Sequence, residues 1–243
     1  MNSSLSALGL SLESLSAICL THEHGDHTSL LRTYHRLNGV QVVASGGTID
    51  AVAVKHGITN ARVLAAKDAL RVGGMTIRRF NTSHDARESR GYTLAMETMK
   101  VGVCTDLGEM SRAALDALCG ADYVVLESNH DVDMLKRGPY PMHLRRRILS
   151  RYGHLSNDDC AAAAVKLAEG GTRRIALAHL SQENNDPSVA MGTVMWALSQ
   201  AGREIQVEVA PRYEMGEVFC YTLQSQRRES WGGPIGAMLA PNM

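Results

Sequence analysis

The segment 21–27, with the sequence THEHGDH, carries three histidines and an aspartate at a spacing that could bind metal ions. Neutral imidazole and carboxylate are ligands that suit Zn, Mn or Fe at neutral pH. Residues at i and i+2 of an extended segment point the same way, so His22 and His24 can converge on one ion. Asp26 and His27 follow in the turn that opens a helix and face a second point nearby. The alternative is a polar loop that happens to be rich in histidine, and the spacing favours the metal site.

Three further polar residues, His84, Asp106 and His179, each follow a predicted strand. Ligands of α/β sheets bind at the carboxyl ends of strands, so we expect these side chains to face one rim. A histidine or aspartate at a strand end is, taken alone, more often a cap or a loop hydrogen-bonding residue than a ligand. Together with the histidine-rich segment they predict one metal centre.

Strands and helices alternate along the chain, which predicts an α/β architecture with helices on both faces of the sheet. The apolar run 15–20 is a buried strand that leads into the histidine-rich segment. The other predicted strands are 40–44, 61–66, 75–80, 91–97, 100–105, 123–127, 174–178 and 205–209. Strands 61–66 and 75–80 are expected to lie on either side of the Gly73-Gly74 turn. The predicted helices are 28–37, 48–56, 111–118, 143–152, the alanine-rich helix after Ser156, and 189–201.

Length and composition are those of a globular protein, with 243 residues, 44% hydrophobic residues and a formal net charge of zero. We expect a single domain over residues 1–223 and a flexible tail over residues 224–243. No apolar run approaches the length of a membrane span, so no membrane association is expected. Five scattered cysteines, an odd number, favour reduced thiols and a cytoplasmic location.

The histidine-rich segment, followed in order by His84, Asp106 and His179, resembles the metallo-β-lactamase superfamily over about residues 15–220. The resemblance implies a four-layer αββα sandwich and two divalent metal ions. The implied ligands are His22, His24 and His84 for the first ion, Asp26, His27 and His179 for the second, and Asp106 as the bridge. The superfamily begins with two strands that this sequence lacks, so an N-terminally truncated fold is expected.

Four later segments resemble the YycJ/WalJ group of that superfamily, which is related to the ribonuclease J and Z phosphodiesterases. They are ESNHD at 127–131, GPYP at 138–141, LSRYGHLSN at 149–157 and AHLSQENN at 178–185. The group is associated with 5′-to-3′ exonuclease activity on DNA. The resemblance therefore implies a hydrolase that acts on nucleic acid, with single-stranded DNA or DNA ends favoured and RNA left open.

Three residues are assigned to the chemical step by this resemblance: Asp26, His154 and Glu127. The resemblance implies that Glu127 orients His154 and that His154 serves as the general acid for the leaving oxygen. The alternative for His154 is a loop histidine hydrogen-bonded to a backbone carbonyl group. The charges of two divalent ions, the carboxylates of Asp26 and Asp106, and a metal-bridging hydroxide sum to about +1. Such a centre suits an anionic phosphodiester.

Contacts with the substrate phosphate are expected around the start of the helix after Ser156. Ser156 and Asn157 lie where free backbone N–H groups and the helix dipole favour an anion, although Ser156 also serves as a cap. Arg147 and Arg151 would share one face of a basic helix, and a solvated helix face is an equal alternative. Tyr152 is the best candidate for stacking on a base.

Two other functions remain open from the sequence. A thioester or ester hydrolase of glyoxalase II type would use the same fold, but it offers no role for the Glu127 and His154 segments. Asp106 stands where a β-lactamase usually has cysteine. The second alternative is an inactive metal-binding regulatory module, which the complete ligand set disfavours. The interval of 73 residues from Asp106 to His179 is too short for the inserted domain of ribonuclease J. The identity of the metal and the oligomeric state are not determined.

Overall fold

The computed structural model describes residues 2–218. Contacts divide the chain into two compact units, one of them Ser16–Ala210 and the other made of the terminal segments. The terminal unit contains helix α1 (Asn2–Ala7) and a 3-10 turn at Leu12–Ser14. The tail expected at 224–243 lies outside the described residues, and the assignment of everything before it to a single domain stays a prediction.

A three-stranded parallel sheet forms the first half of the larger unit, in the order β1-β2-β3. Helix α3 ends at Gly39, whose φ of 59° is the left-handed conformation that glycine adopts without strain. The elements are β1 (Ala17–Cys19), α2 (Gly25–Thr28), α3 (Leu31–Asn38), β2 (Gln41–Ala44), α4 (Gly46–His56) and β3 (Ala61–Val63).

A seven-stranded sheet forms the second half, in the order β10-β9-β8-β7-β6-β5-β4. Its strands β4 to β7 are antiparallel neighbours, whereas β7 to β10 pair in parallel. The strands are β4 (Leu70–Val72), β5 (Met75–Asn81), β6 (Arg90–Ala95), β7 (Lys100–Cys104), β8 (Tyr123–Glu127), β9 (Arg174–Ala178) and β10 (Gln206–Val209). The helices are α5 (Arg112–Leu118), α6 (Val132–Arg137), α7 (Met142–Ile148), α8 (Asn157–Glu169) and α9 (Pro187–Gln200).

The two sheets are the inner layers of a sandwich, because side chains alternate between the faces of a strand. On β2, Val42 packs with Val52 of α4, whereas Val43 packs with Ile77 of β5. The other face of the seven-stranded sheet packs against α5, α8 and α9, for example through Ile175. This α/β arrangement of helices, two sheets and helices confirms the predicted αββα fold class.

Most predicted elements are present, and three predictions need correction. The strand that pairs with β5 across the Gly73-Gly74 turn is β4, because segment 61–63 pairs with β2 in the other sheet. Helix α6 (Val132–Arg137) is absent from the elements that the sequence pattern predicts. The basic helix ends at Ile148, because the chain folds back on it: a Cβ atom at Gly153 would lie 2.1 Å from the Ile148 carbonyl oxygen.

Candidate metal centre

Three histidines converge on one point beside the end of β1. His24 is the N-cap residue of α2, and its ring centroid lies 4.5 Å from that of His22 and 5.1 Å from that of His84. Each of the three offers a ring nitrogen, and these nitrogens lie within 4.8 Å of one another. The trio that the resemblance assigns to the first ion is therefore brought together by the fold, and its ligand role stays a prediction.

The His84 ring is oriented by the chain that follows α7. Its Nδ1 lies 3.0 Å from the carbonyl oxygen of Gly153. A carbonyl oxygen can only accept a hydrogen bond, so Nδ1 carries the proton and Nε2 is left with its lone pair. In metal proteins a contact of this kind fixes the tautomer of a ligating histidine.

The Thr21 hydroxyl orients two other imidazole rings, those of His22 and His27. Nothing in the sequence pattern indicates this role. Its Oγ1 lies 3.1 Å from Nδ1 of His22 and 3.2 Å from Nδ1 of His27. Both rings therefore turn Nε2 away from the hydroxyl. The Nε2 atom of His22 is buried and has no hydrogen-bond partner within residues 2–218. A buried, unpaired nitrogen beside other imidazoles fits a metal ion.

Asp106 lies between the two sets of candidate ligands. Its Oδ2 is 3.3 Å from Nε2 of His27, and its Oδ1 is 3.6 Å from Nδ1 of His179 and 3.9 Å from Nε2 of His84. Asp26 approaches from the exposed side, with Oδ2 3.5 Å from Nε2 of His27. Asp26, His27 and His179 form a second cluster of donors within 4.8 Å. The position of Asp106 fits a bridging carboxylate.

Glu127 is fully buried at the end of β8 and accepts four hydrogen bonds. Its Oε1 accepts from Nδ1 of His154 at 2.8 Å and from Nδ1 of His179 at 2.7 Å. Its Oε2 accepts from the backbone N–H groups of Leu107 and Leu155. Burial opposes ionisation, but the bonds from the two imidazoles hold the pKa of Glu127 below its usual value. Only the contact with His154 was expected from the sequence.

The backbone is left-handed at two of these positions. Asp106 and His179 both have a φ of 59°, which is unusual for residues other than glycine. The conformation of His179 is supported by Asn129, whose Nδ2 donates to the His179 carbonyl oxygen at 2.8 Å. Such conformations cluster at functional sites, because the surrounding structure has to enforce them.

Charge states in the centre suit cation binding. Burial and the neighbouring His27 lower the pKa of His22 to about 3, so its imidazole is neutral. Burial opposes ionisation of Asp106, but the neighbouring His27 imidazole outweighs it and holds the pKa of the Asp106 carboxyl below its usual value. Burial likewise opposes the charge on His179, yet Glu127 and Asp106 raise its pKa to about 9. An ion bound there would displace that proton.

A cavity opens over these side chains, and Arg147 is among its walls. The residues expected to contact the substrate, Arg151, Tyr152, Ser156 and Asn157, are not among the residues that line this cavity. Arg151 pairs with Glu109 at 3.0 Å, and its guanidinium carbon lies 5.1 Å from the centre of the half-exposed Tyr152 ring. The cavity is lined by His24, Gly25, Asp26, His84, Asp106, Arg147, His154 and His179.

Ser156 and Asn157 are buried at the start of α8. The Ser156 hydroxyl accepts from the N–H of Asp159, so it caps the helix as the sequence predicted. The Asn157 amide is held by Ser128 and Asn185. A contact of Ser156, Asn157, Arg151 or Tyr152 with substrate stays a prediction. Arg147 and Arg151 do not share a helix face, because α7 ends between them.

Comparisons with known proteins agree with this geometry. The family model described as the beta-lactamase superfamily domain matches residues 3–180. Exodeoxyribonuclease YycJ of Bacillus anthracis is 35% identical over 198 residues, which cover 79% of this chain and 74% of that protein. Exodeoxyribonuclease WalJ of Streptococcus pneumoniae is 33% identical over 207 residues, covering 81% and 75%.

Solved structures share the fold at low sequence identity. The metallo-β-lactamase fold protein YhfI of Bacillus subtilis superposes with a TM-score of 0.64 at 17% identity, covering 82% of this chain and 76% of that one. A diphosphatase of the PhnP family gives a TM-score of 0.54 at 18% identity, covering 80% and 67%.

The chain belongs to the beta-lactamase superfamily, as a metallo-β-lactamase fold protein of the YycJ/WalJ group. It is a metal-dependent hydrolase, and its His/Asp clusters could hold divalent metal ions. Among the described helices, none has the length and apolar character needed to cross a membrane.

Proposed function

We propose that this chain is a phosphodiesterase that uses two divalent metal ions and removes nucleotides from DNA in the 5′-to-3′ direction. One observation carries the proposal: a buried carboxylate oxygen of Glu127 accepts hydrogen bonds from both His154 and His179. The same residue thereby orients a candidate proton donor and a candidate metal ligand. The names of the YycJ and WalJ relatives support DNA as the substrate.

The two proposed ion sites use seven side chains of this chain. Bound divalent ions would lower the pKa of an attacking water and polarise the phosphoryl oxygen. The donor set is compatible with Zn, Mn or Fe. The proposed ligands are His22, His24 and His84 at one site, Asp26, His27 and His179 at the other, and Asp106 between them.

His154 is the proposed general acid. Its Nδ1–H is held by Glu127, so Nε2 is the nitrogen that delivers a proton to the leaving oxygen. The buried Glu127 carboxylate fixes the orientation of the His154 ring for that transfer. Asp26, at the exposed rim of the cavity, contributes to the chemical step through the second ion site.

A proton donor favours a phosphodiester over a thioester. The leaving group of DNA hydrolysis is an alkoxide, which is strongly basic and departs more easily when it is protonated. A thiolate is much less basic and gains little from a general acid. The His154–Glu127 pair therefore matches the chemistry of nucleic acid hydrolysis. The cytoplasmic location expected from the cysteines is consistent with that substrate.

The test is cleavage of 5′-end-labelled and 3′-end-labelled single-stranded DNA, with and without a 5′ phosphate, in Mn or Zn. We expect shortening from the 5′ end by the unmodified chain. His154→Ala should cleave about 10²–10⁴-fold more slowly, with two ions still bound per chain. His143→Ala, an exposed histidine on α7, is the matched control and should behave like the unmodified chain.

Two outcomes would contradict the proposal. One is a chain that holds two ions but cleaves no DNA while it hydrolyses a thioester, which would transfer the assignment to glyoxalase-type chemistry. The other is full activity of His154→Ala, which would remove the proton donor from the mechanism.

A further inference from the structure

Arg147 is the only arginine or lysine among the residues that line the cavity of the metal centre within the described part of the chain. It lies in the last turn of α7. Its Nε and Nη2 donate to the two carboxylate oxygens of Asp85, with Nη2 3.0 Å from Oδ1. The two-point contact fixes the plane of the guanidinium.

Asp85 is itself fixed next to the metal centre. Its backbone N–H donates to the carbonyl oxygen of Tyr152 at 3.1 Å. Its Oδ1 lies 3.5 Å from Nε2 of the neighbouring His84. The guanidinium of Arg147 is therefore held beside a proposed metal ligand before any substrate binds. Because the side chain is already ordered, binding a ligand costs it less conformational entropy.

The pair with Asp85 leaves donors of Arg147 unused. A guanidinium has five N–H groups, and the two bonds to Asp85 use two of them. The Nη1 atom has no hydrogen-bond partner among residues 2–218. A planar fork of free N–H groups at a cavity wall is suited to phosphate oxygens, which it can bind by two parallel hydrogen bonds.

The neighbouring arginines do not combine an oriented guanidinium with a place in the wall of the cavity. Arg145 donates to the carbonyl oxygens of Tyr140 and Lys136, so its guanidinium fastens the start of α7. Arg151 pairs with Glu109. Arg146 is exposed on the same helix, and neither it nor Arg151 is among the lining residues. Arg147 alone of this basic segment belongs to the wall of the cavity.

We propose that Arg147, oriented by Asp85, donates hydrogen bonds to a non-bridging phosphate oxygen of the substrate strand and thereby sets substrate affinity. This inference rests on the proposed function, because it takes the substrate to be a phosphodiester. It assigns phosphate recognition to the end of α7, next to the His84 side of the centre, and Asp85 becomes a positioning residue.

The experiment compares Arg147→Gln with Arg146→Gln, which removes the same charge from the same helix. Binding of a fluorescent single-stranded thymidine oligonucleotide in EDTA is measured by anisotropy at several salt concentrations. A lost charge-assisted hydrogen bond should weaken binding by Arg147→Gln about 10-fold or more. It should also reduce the slope of log K against log salt by about 0.7. Arg146→Gln should stay within about twofold of the unmodified chain.

Arg147→Lys guards against a trivial loss of folding. The ammonium keeps the charge but cannot reproduce the fork, so binding should be intermediate between Arg147→Gln and the unmodified chain. In cleavage assays, Arg147→Gln should raise KM by a larger factor than it lowers kcat. Bound metal per chain should be equal in all variants.

Failure of this inference and failure of the proposed function give different results. If Arg147→Gln binds and cleaves like Arg146→Gln, the inference is overturned while the exonuclease assignment stands. If the unmodified chain binds the oligonucleotide through Arg147 but releases no nucleotides with both ions bound, the exonuclease assignment fails and phosphate recognition by Arg147 stands.

Discussion

The two sheets supply the candidate metal centre in different ways. The three-stranded sheet contributes His22, His24, Asp26 and His27 from the single loop that follows β1. The seven-stranded sheet contributes His84 after the antiparallel strand β5, and one residue after or at the end of each of three parallel strands, β7, β8 and β9. Ligands on one loop are placed by local chain geometry, whereas ligands on separate strands depend on the register of the sheet.

The register of the seven-stranded sheet aligns the residues at the ends of β7, β8 and β9. Cys104 pairs with Leu126, which pairs with Leu177, and Glu127 pairs with Ala178. The residues that end or follow the three strands therefore reach the same edge. This side of the centre also contains the left-handed Asp106 and His179, the two non-glycine residues with positive φ within residues 2–218. Changes on the sheet side should thus disturb folding and activity together, and changes on the loop side mainly activity.

The largest effect is expected from Glu127→Gln on the sheet side. An amide keeps one accepting oxygen, so its NH2 group must face either the two ring N–H donors of His154 and His179 or the backbone N–H donors of Leu107 and Leu155. Either way two buried donors lose their acceptor, and the charge that holds the two rings is lost. We expect activity to fall by at least about 10³-fold and the free energy of unfolding by about 2–4 kcal/mol. Activity and urea unfolding in EDTA are the measurements. Glu97→Gln, in an exposed turn, is the control, and an active, fully stable Glu127→Gln would contradict the shared-anchor role.

His24→Ala tests the loop side, where activity should fall while stability changes little. The half-buried His24 ring makes no hydrogen bond among the described residues, so stability in EDTA should change by less than about 1 kcal/mol. Activity should nevertheless fall by at least about 10²-fold, because one ion loses a ligand. Elemental analysis should find one ion per chain. Retention of two ions after dialysis would remove His24 from the ligand set.

Thr21→Val should weaken metal binding without removing a ligand. The hydroxyl that fixes the rings of His22 and His27 is lost while the shape of the side chain is kept. A fall of about 10–100-fold in metal affinity is typical for such a contact, and a competing chelator can measure it. Thr21→Ser keeps the hydroxyl and should bind metal normally. Equal metal affinities of the Thr21→Val and Thr21→Ser variants would show that the hydroxyl does not orient the rings.

The smallest effect is expected from Asn129→Ala. It removes the hydrogen bond to the carbonyl oxygen of His179, and the free energy of unfolding should fall by about 1–2 kcal/mol. Affinity for the second ion should fall with it, since the left-handed conformation of His179 loses support. Asn81→Ala, exposed at the end of β5, should change stability by less than about 0.5 kcal/mol. A loss no larger than that of Asn81→Ala would separate Asn129 from the metal centre.

Much of the fold was accessible from the sequence because the hydrophobic pattern is local. Alternation located all described strands except β4, helical spacing located the described helices except α1, α2 and α6, and the Ser156 cap was correct. The pairing of strands was less accessible: segment 61–66 was assigned to the Gly73-Gly74 hairpin, although β4 occupies that place. A three-residue strand leaves too short a pattern to identify its partner.

The amino-acid sequence by itself determined that the chain carries a metal-binding loop, because ligands at i, i+2 and the next turn need only local geometry to converge. It also indicated which strand ends carry polar residues. Only the tertiary structure decided that Glu127 holds both His154 and His179, that Thr21 lies between two rings, and that Arg147 rather than Arg151 lines the cavity. Glu127 lies 27 and 52 positions from these two histidines, and Arg151 lies beyond the end of α7, so packing rather than spacing decides these contacts. Thr21 is close to His22 and His27 in the chain, but its contact depends on how the two rings are turned in the folded site.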